Sequence, residues 1–260
     1  EDMLDYCEQD VKVTKVLLER LNTKKVPDEA LAVEQDFAYI IGRQVRKGWY
    51  FDVKAAQALH IDLLKQKEVI EADLLSTFKP LRDWVDLKKH PEFTKSGSQN
   101  KNHLKQLESG AHKDTKLGWG RWEELWFNPG SRKHIIRWME EVYGWHSPKR
   151  TEKGTPIINE ETLSGVTFPE GEMLRKYFLI QKILGMVAEG RNGWLRLVGD
   201  DNRVHGQVNT LGAVTGRCTH NKPNVAQTPS ARAFMGEECR KLWTVPKGKK
   251  IVGCDASGLE

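Results

Sequence analysis

Asp255 closes a short apolar run in K-K-I-V-G-C-D-A-S-G-L-E, residues 249–260, and a second carboxylate, Glu260, ends the same stretch. The run I-V-G-C-D reads as a strand, and a strand aims the side chain at its end rigidly. A divalent cation that holds a nucleoside triphosphate and polarises its α-phosphate needs oxygen ligands, usually carboxylates. Ala256, Ser257 and Gly258 leave room for phosphate and sugar beside such an ion. An aspartate after a strand also serves as a turn former or helix cap, so the stretch alone leaves both roles open. At the other end, D-Y-C-E-Q-D puts Tyr6 and Asp10 one helical turn apart on one face, a spacing that many solvated helix faces share.

The elements that must position these groups change character along the chain. D-Y-C-E-Q-D-V-K-V-T-K-V-L-L-E-R-L reads as a helix, with Val11, Val16, Leu17, Leu18 and Leu21 at helical spacings. Pro27 and Asp28 open a second helix, and Gly48 is placed to end it. Asp52 is a good N-cap for a third helix from Val53 to Phe78. At ~1.5 Å per residue that helix is a rod of about 39 Å, expected to project.

From Lys79 to Trp126 the periodicity fades. This window holds ten Lys/Arg against seven Asp/Glu and includes Trp84, Trp119, Trp122 and Trp126. Its polar, glycine-rich texture predicts an irregular insertion between helices, mobile without a partner. Ser131 is an N-cap for R-K-H-I-I-R-W-M-E-E-V-Y, with Gly144 at its end. R-T-E-K-G-T-P-I-I-N-E-E-T-L reads as an extended turn segment, and E-M-L-R-K-Y-F-L-I-Q-K-I-L-G-M-V-A-E-G as an apolar helix with Tyr177 and Phe178 in the core. After Gly193 the texture turns to strands: W-L-R-L-V, R-V-H-G-Q-V-N and I-V-G-C-D. The chain therefore reads as mainly helical to about residue 190 and α+β beyond it.

Composition narrows the class. The 260 residues suffice for one large or two modest domains, and no apolar run approaches the ~20 residues of a membrane span. The acidic opening E-D-M-L-D-Y-C-E-Q-D is not a signal peptide. Cys7, Cys218, Cys239 and Cys254 are scattered without a C-x-x-C pair, as expected of reduced thiols rather than disulfides or a zinc site. The net charge of +5 permits an anionic partner without requiring one.

Four short elements precede or include Asp255: T-G-R at 215–217, P-N-x-A-Q-x-P at 223–229, G-E-x-C-R at 236–240 and D-A-S-G-L-E at 255–260. In this order and at this spacing they resemble the family A DNA polymerases, in particular the replicases of short-tailed phages. The likeness extends back through F-N-P-G-S-R-K-H-I and L-I-Q-K-I-L-G-M-V-A-E-G, which look like the family's thumb. The resemblance implies an α+β multidomain fold, a mainly α-helical thumb with long projecting helices followed by the first strands of an antiparallel palm sheet. It implies five segments: a C-terminal exonuclease helix at 1–25, a connecting helix and first thumb helix at 26–78, a thumb insertion at 79–126, further thumb helices at 127–190, and the start of the palm at 191–260.

The resemblance also assigns roles. Asp255 would bind two catalytic Mg2+ ions, the backbone carbonyl of Ala256 would help hold one, and Glu260 would line the pocket for the incoming deoxynucleoside triphosphate. The primer 3′-hydroxyl would attack the α-phosphate in template-directed DNA replication. Arg217 would donate to the minor-groove acceptors that every correct pair offers in nearly the same place. His220 and Gln227 would neighbour the duplex, with structural hydrogen bonding the equal alternative. Lys176, Lys182, Arg191 and Arg196 could contact backbone phosphates or lie on a solvated face. Y-x-x-x-D looks like the last motif of a fused 3′–5′ exonuclease, with Asp10 a metal ligand and Tyr6 orienting the attacking water. The insertion at 79–126 has the place and basic character of a thioredoxin-binding processivity segment, though its residues do not match one by one.

On this reading the chain runs from the last exonuclease motif to the first palm carboxylate, and the remaining motifs are expected outside it. The 260 residues alone are then expected neither to polymerise nor to proofread, since one carboxylate cannot hold two cations about 3.5–4 Å apart. The rival is a non-catalytic DNA-binding or assembly subunit of a split polymerase. The implied location is the cytoplasm of an infected bacterium.

Overall fold

The computed structural model describes residues 2–22, 24 and 26–254. These form two compact units. One comprises residues up to Leu59 together with those from Gly185 onward, and the other spans His60–Leu184.

In the first unit, helix α1 (Asp2–Asn22) buries none of its residues, and α2 (Asp28–Lys47) follows Pro27. Gly48, at φ 65°, stops α2 by donating its N–H to the Gln44 carbonyl. Strand β1 (Trp49–Tyr50) then leads into α3 (Val53–Thr77), which continues into the second unit. Asp52 caps α3 as its type demands: the carboxylate accepts from the Ala55 N–H at 2.9 Å. Four large side chains close the core. Trp194 meets Phe51 and Trp243 edge to face with centroids 6.1 and 5.2 Å apart, Phe51 and Trp243 lie tilted at 5.0 Å, and Val204 is fully buried in sequence-distant β5 (Arg203–Val204), the partner of β1. Such rings bury large apolar areas, and their edge-to-face geometry adds about 0.5–1.5 kcal/mol per pair.

The second unit is built on α3, which buries Leu63, Ile70 and Leu74 along one stripe. Against this unit's core lie α5 (Arg132–Tyr143) and α6 (Pro169–Leu184), with Ile135, Trp138, Leu174 and Tyr177 buried. Ser131 accepts from the His134 N–H, and Gly144 ends α5 in the left-handed region at φ 61°, as the sequence predicts. The polar atoms on the buried rings find partners. Trp138 Nε1 donates to the Lys79 carbonyl at 3.0 Å, and the Tyr177 hydroxyl donates to Glu71 at 3.0 Å. Residues 150–156 form the expected turn, closed by a bridge between Arg150 and Pro156.

Three expectations change. The 79–126 window is not irregular: β2 (Leu81–Asp86), β3 (His112–Asp114) and β4 (Gly118–Leu125) make an antiparallel sheet in the order β2-β4-β3, with α4 (Lys101–Glu108) between β2 and β3. The hairpin is set by Asp114, whose carboxylate accepts from the N–H groups of Lys116 and Leu117 at 2.7 and 2.9 Å. Those two bonds, from Leu117 first and then Lys116, hold its pKa below the usual value. Second, W-L-R-L-V is helical over α7 (Trp194–Leu197), because a five-residue apolar run carries no period that separates strand from helix. The run follows the π-helical turn Gly185–Glu189 that ends the long helix. Third, Ile251–Cys254 form no strand among the described residues. Ile251 and Val252 are exposed and lack a ladder partner, and hydrogen bonding to a neighbour is what makes an extended segment a strand. No helix among the described residues is long and apolar enough to cross a membrane.

Candidate nucleic-acid interface

Strands β6 (Gln207–Asn209) and β7 (Thr219–Asn221) pair antiparallel, Val208 opposite His220, and carry the loop that contains Arg217. The loop is shaped by its own backbone. Ala213 N–H donates to the Arg217 carbonyl at 3.1 Å, Gly216 N–H to Ala213 at 3.0 Å, and Leu211 N–H to the Asn209 side chain at 3.2 Å. Gly212 is dictated by packing, since a Cβ there would sit 1.9 Å from Thr219 Oγ1. Arg217 closes this turn just ahead of β7 and is exposed.

His220 is half-buried in β7 and borders a cavity of about 260 Å³ with Gln44, Trp49 and Val208. Beyond β7 the chain turns through a cis Lys222–Pro223 bond into the 3₁₀ turn Val225–Gln227. Gln227 N–H donates to the Asn224 carbonyl at 3.2 Å, leaving the exposed side chain free of that task. The turn lies close to the start of β6, because a Cβ on Gly206 would come within 3.0 Å of the Pro223 carbonyl. Arg217, His220 and Gln227 thus fall on one hairpin and its following turn.

The G-E-x-C-R element braces this turn. Arg240 at the end of α8 (Gly236–Lys241) donates from Nε to the Pro229 carbonyl at 2.8 Å, tying that element to P-N-x-A-Q-x-P. Gly236 allows the approach: a Cβ there would meet the Ser230 carbonyl oxygen at 1.8 Å. Cys239 is fully buried. Burial, and after it the charge of Glu238, pushes its thiol up to about 11, so it is a packing residue and not a nucleophile. Sequence reading did not single out Gly236 or Arg240 for this bracing; their spacing from Pro229 was the available signal.

The other expected residues lie apart from this hairpin. Tyr6 and Asp10 share a face of α1 and are exposed. Lys182 is in the second unit, in an ion pair with Glu160 at 2.5 Å. Desolvation pushes the Glu160 carboxyl up, but hydrogen bonding and charge from Lys182 outweigh it, so the net shift is downward. Arg191 is exposed in the turn between the π-helical segment and α7, and Lys176 and Arg196 are exposed on their helices. Asp255, Ala256 and Glu260 lie outside the described residues. Among the described residues no cluster of three or more His, Cys, Asp or Glu side chains could hold a metal ion.

Comparison with known proteins agrees with this architecture. Residues 91–260 match the sequence model of DNA polymerase family A. The chain is 34% identical over 317 residues to the DNA-directed DNA polymerase of Enterobacteria phage T3, and equally to that of Escherichia phage T7. Both matches cover 100% of this chain and 45% of the phage protein, so the chain spans less than half the length of these curated relatives. Among solved structures, the POL domain of Pol1 from M. smegmatis, in complex with DNA primer-template and dNTP, is similar in fold. That match has a TM-score of 0.52 at 17% identity, covering 85% of this chain and 32% of that one. Whole-length identity to two phage polymerases, a family match over most of the chain and the shared fold lead to one assignment: the chain belongs to DNA polymerase family A.

Proposed function

We propose that this chain is the thumb and first palm portion of a replicative phage DNA polymerase, which extends a primer 3′-hydroxyl by template-directed phosphoryl transfer. The observation that carries the reading is the exposed Arg217 on a loop held by the β6–β7 hairpin, in a family A chain whose D-A-S-G-L-E motif begins at Asp255. An exposed arginine on such a loop can donate to minor-groove acceptors and so grip any correctly paired terminus without reading its sequence. Gln227 and His220 flank it. Lys176, Arg191 and Arg196 supply exposed charge for backbone phosphates, and Lys182 does so only when it leaves Glu160.

Metal chemistry would centre on Asp255 with the carbonyl of Ala256, and Glu260 would border the deoxynucleotide sugar. Two Mg2+ ions would stabilise charge on the attacking and leaving oxygens. One carboxylate cannot hold two cations about 3.5–4 Å apart, so further donors must join Asp255 in the folded enzyme. On α1, Tyr6 and Asp10 would serve an associated 3′–5′ exonuclease; both face solvent on one side of the helix. The folded sheet at 79–126 is a platform for a processivity partner of the thioredoxin type. The setting is the cytoplasm of an infected bacterium.

The test is Asp255→Asn in a polymerase that carries this sequence. Primer extension should be lost while primer-template binding persists, and Arg217→Ala should weaken both. Undiminished extension by the Asp255→Asn enzyme overturns the reading. So does measurable extension by the 260 residues alone.

A further inference from the structure

A cavity of about 870 Å³ in the first unit is bordered by Lys47, Arg203, Arg240, Lys249 and Lys250, and no acidic residue lines it. Its apolar walls include Trp49, Tyr50 and Trp243. Two of the cations are fixed in place. The Arg203 guanidinium lies over the Tyr50 ring at 5.6 Å and donates to the Gly48 carbonyl at 3.1 Å, while Arg240 is anchored to Pro229. The three lysines are exposed and make no ion pair with any described residue. Trp49 is 45% exposed although it sits in a strand at the cavity wall.

Unopposed cations beside an open indole match a single nucleic-acid strand: phosphates meet the lysines and a base stacks on the ring. A duplex has its bases already stacked and is too broad for a cavity of this size, which is that of a small-molecule site. We infer that this cavity binds a short stretch of single-stranded DNA, separate from the duplex grip around Arg217. The inference rests on reading the chain as a DNA-binding polymerase segment, and it adds a second, strand-selective site to it. Lys47, Lys249 and Lys250 would contact the backbone, and Trp49 would carry the base.

Fluorescence anisotropy of a labelled short oligothymidylate with the 260-residue chain tests this. Removing three phosphate contacts in a Lys47→Ala, Lys249→Ala, Lys250→Ala variant should weaken binding at least about tenfold and flatten the salt slope by roughly 2, at ~0.7 per contact. Trp49→Ala should weaken it about fivefold to a hundredfold with the slope unchanged, the signature of a lost stack. A single Lys249→Glu variant gives the same direction should the triple variant fold poorly. Arg217→Ala serves as the converse, weakening primer-template binding and sparing oligothymidylate. The inference is overturned by wild-type affinity in the triple variant, by no oligothymidylate binding at all, or by competition from blunt duplex or polyglutamate equal to that of single strand. If primer-template binding ignores Arg217 while the lysine and tryptophan effects stand, the duplex grip assigned to Arg217 fails and this site survives.

Discussion

Two glycine-to-alanine changes, identical in chemistry, should move stability in opposite directions. At Gly236 a Cβ would lie 1.8 Å from the Ser230 carbonyl oxygen and 2.8 Å from its carbon, where real Cβ contacts essentially never fall under 3.0 Å. The obstacle is backbone, so no rotamer relieves it. The Ser230 carbonyl already accepts from Ala233 N–H at 2.9 Å, and its neighbour Pro229 accepts from Arg240 at 2.8 Å. Moving that strand of chain by an ångström or more costs about 1–3 kcal/mol of overpacking. Losing the charge-assisted Arg240 bond costs about 1.5–3 kcal/mol more. Together these come to about 2.5–6 kcal/mol, on the order of 10 °C in Tm. At Gly42, in the exposed middle of α2, a Cβ meets nothing within 4 Å. There alanine should stabilise by about 0.5–1 kcal/mol through helix propensity alone. The assay is thermal melting followed by tryptophan fluorescence, to which Trp49, Trp194 and Trp243 contribute from the same unit as Gly236. Because the displaced segment follows Gln227 directly, primer-template affinity should fall with stability. A Gly236→Ala protein that melts with the wild type would refute the bracing argument.

Further outcomes are expected from the caps, the ion pairs and the thiols. Ser131→Ala removes the acceptor for His134 N–H at 3.4 Å, and at that length should cost near the lower end of the ~0.5–2 kcal/mol range, read from urea unfolding. Glu160 has its folded pKa lowered from an ordinary 4.5, so its pairing with Lys182 stabilises above that value and is lost as pH falls through the lower folded one. A Lys182→Met protein should therefore lose part of the acid dependence of its denaturant midpoint below about pH 5, and an unchanged profile would discount the pair. With a thiol-reactive dye near neutral pH, exposed Cys7 and Cys254 should label at once. Cys239, buried and with its thiol raised to about 11, should label only after unfolding.

Helices were the legible part of this chain because their signals are local. Asp52 and Ser131 are N-caps in the structure as their types predict, and Gly48 and Gly144 stop helices at positive φ. Strands were less legible because a strand is completed by residues far away. Trp84 faces Trp122 across the β2–β4 ladder, 38 positions along the chain, and Trp84 packs on both Trp122 and His112 at 5.1–5.4 Å. The tryptophans of a polar, glycine-rich window therefore read as a loose insertion, when Trp84, Trp119 and Trp122 make the ring contacts of a small sheet. The Asp114 turn was the one local signal that could have revealed it, an aspartate four residues ahead of Gly118 at φ 91°. Ile251–Cys254 erred the other way, an apolar run with strand composition and no partner to complete the ladder.

The motifs behind the family resemblance divide once their burial is known, and the division is physical. Gly236, Cys239 and Arg240, with Gly212 just ahead of T-G-R, hold the fold: Gly236 admits the Ser230 backbone, Gly212 admits the Thr219 side chain, Cys239 fills the core, and Arg240 ties Pro229 to α8. Arg217 and Gln227, in the neighbouring T-G-R and P-N-x-A-Q-x-P elements, are exposed on the hairpin and turn that those four hold in place. A motif read as letters gives all six equal weight. Burial separates the braces from the groups they present. Substituting a brace should therefore disturb stability and primer-template affinity together, whereas substituting the exposed Gln227 should disturb affinity with the melting curve unmoved.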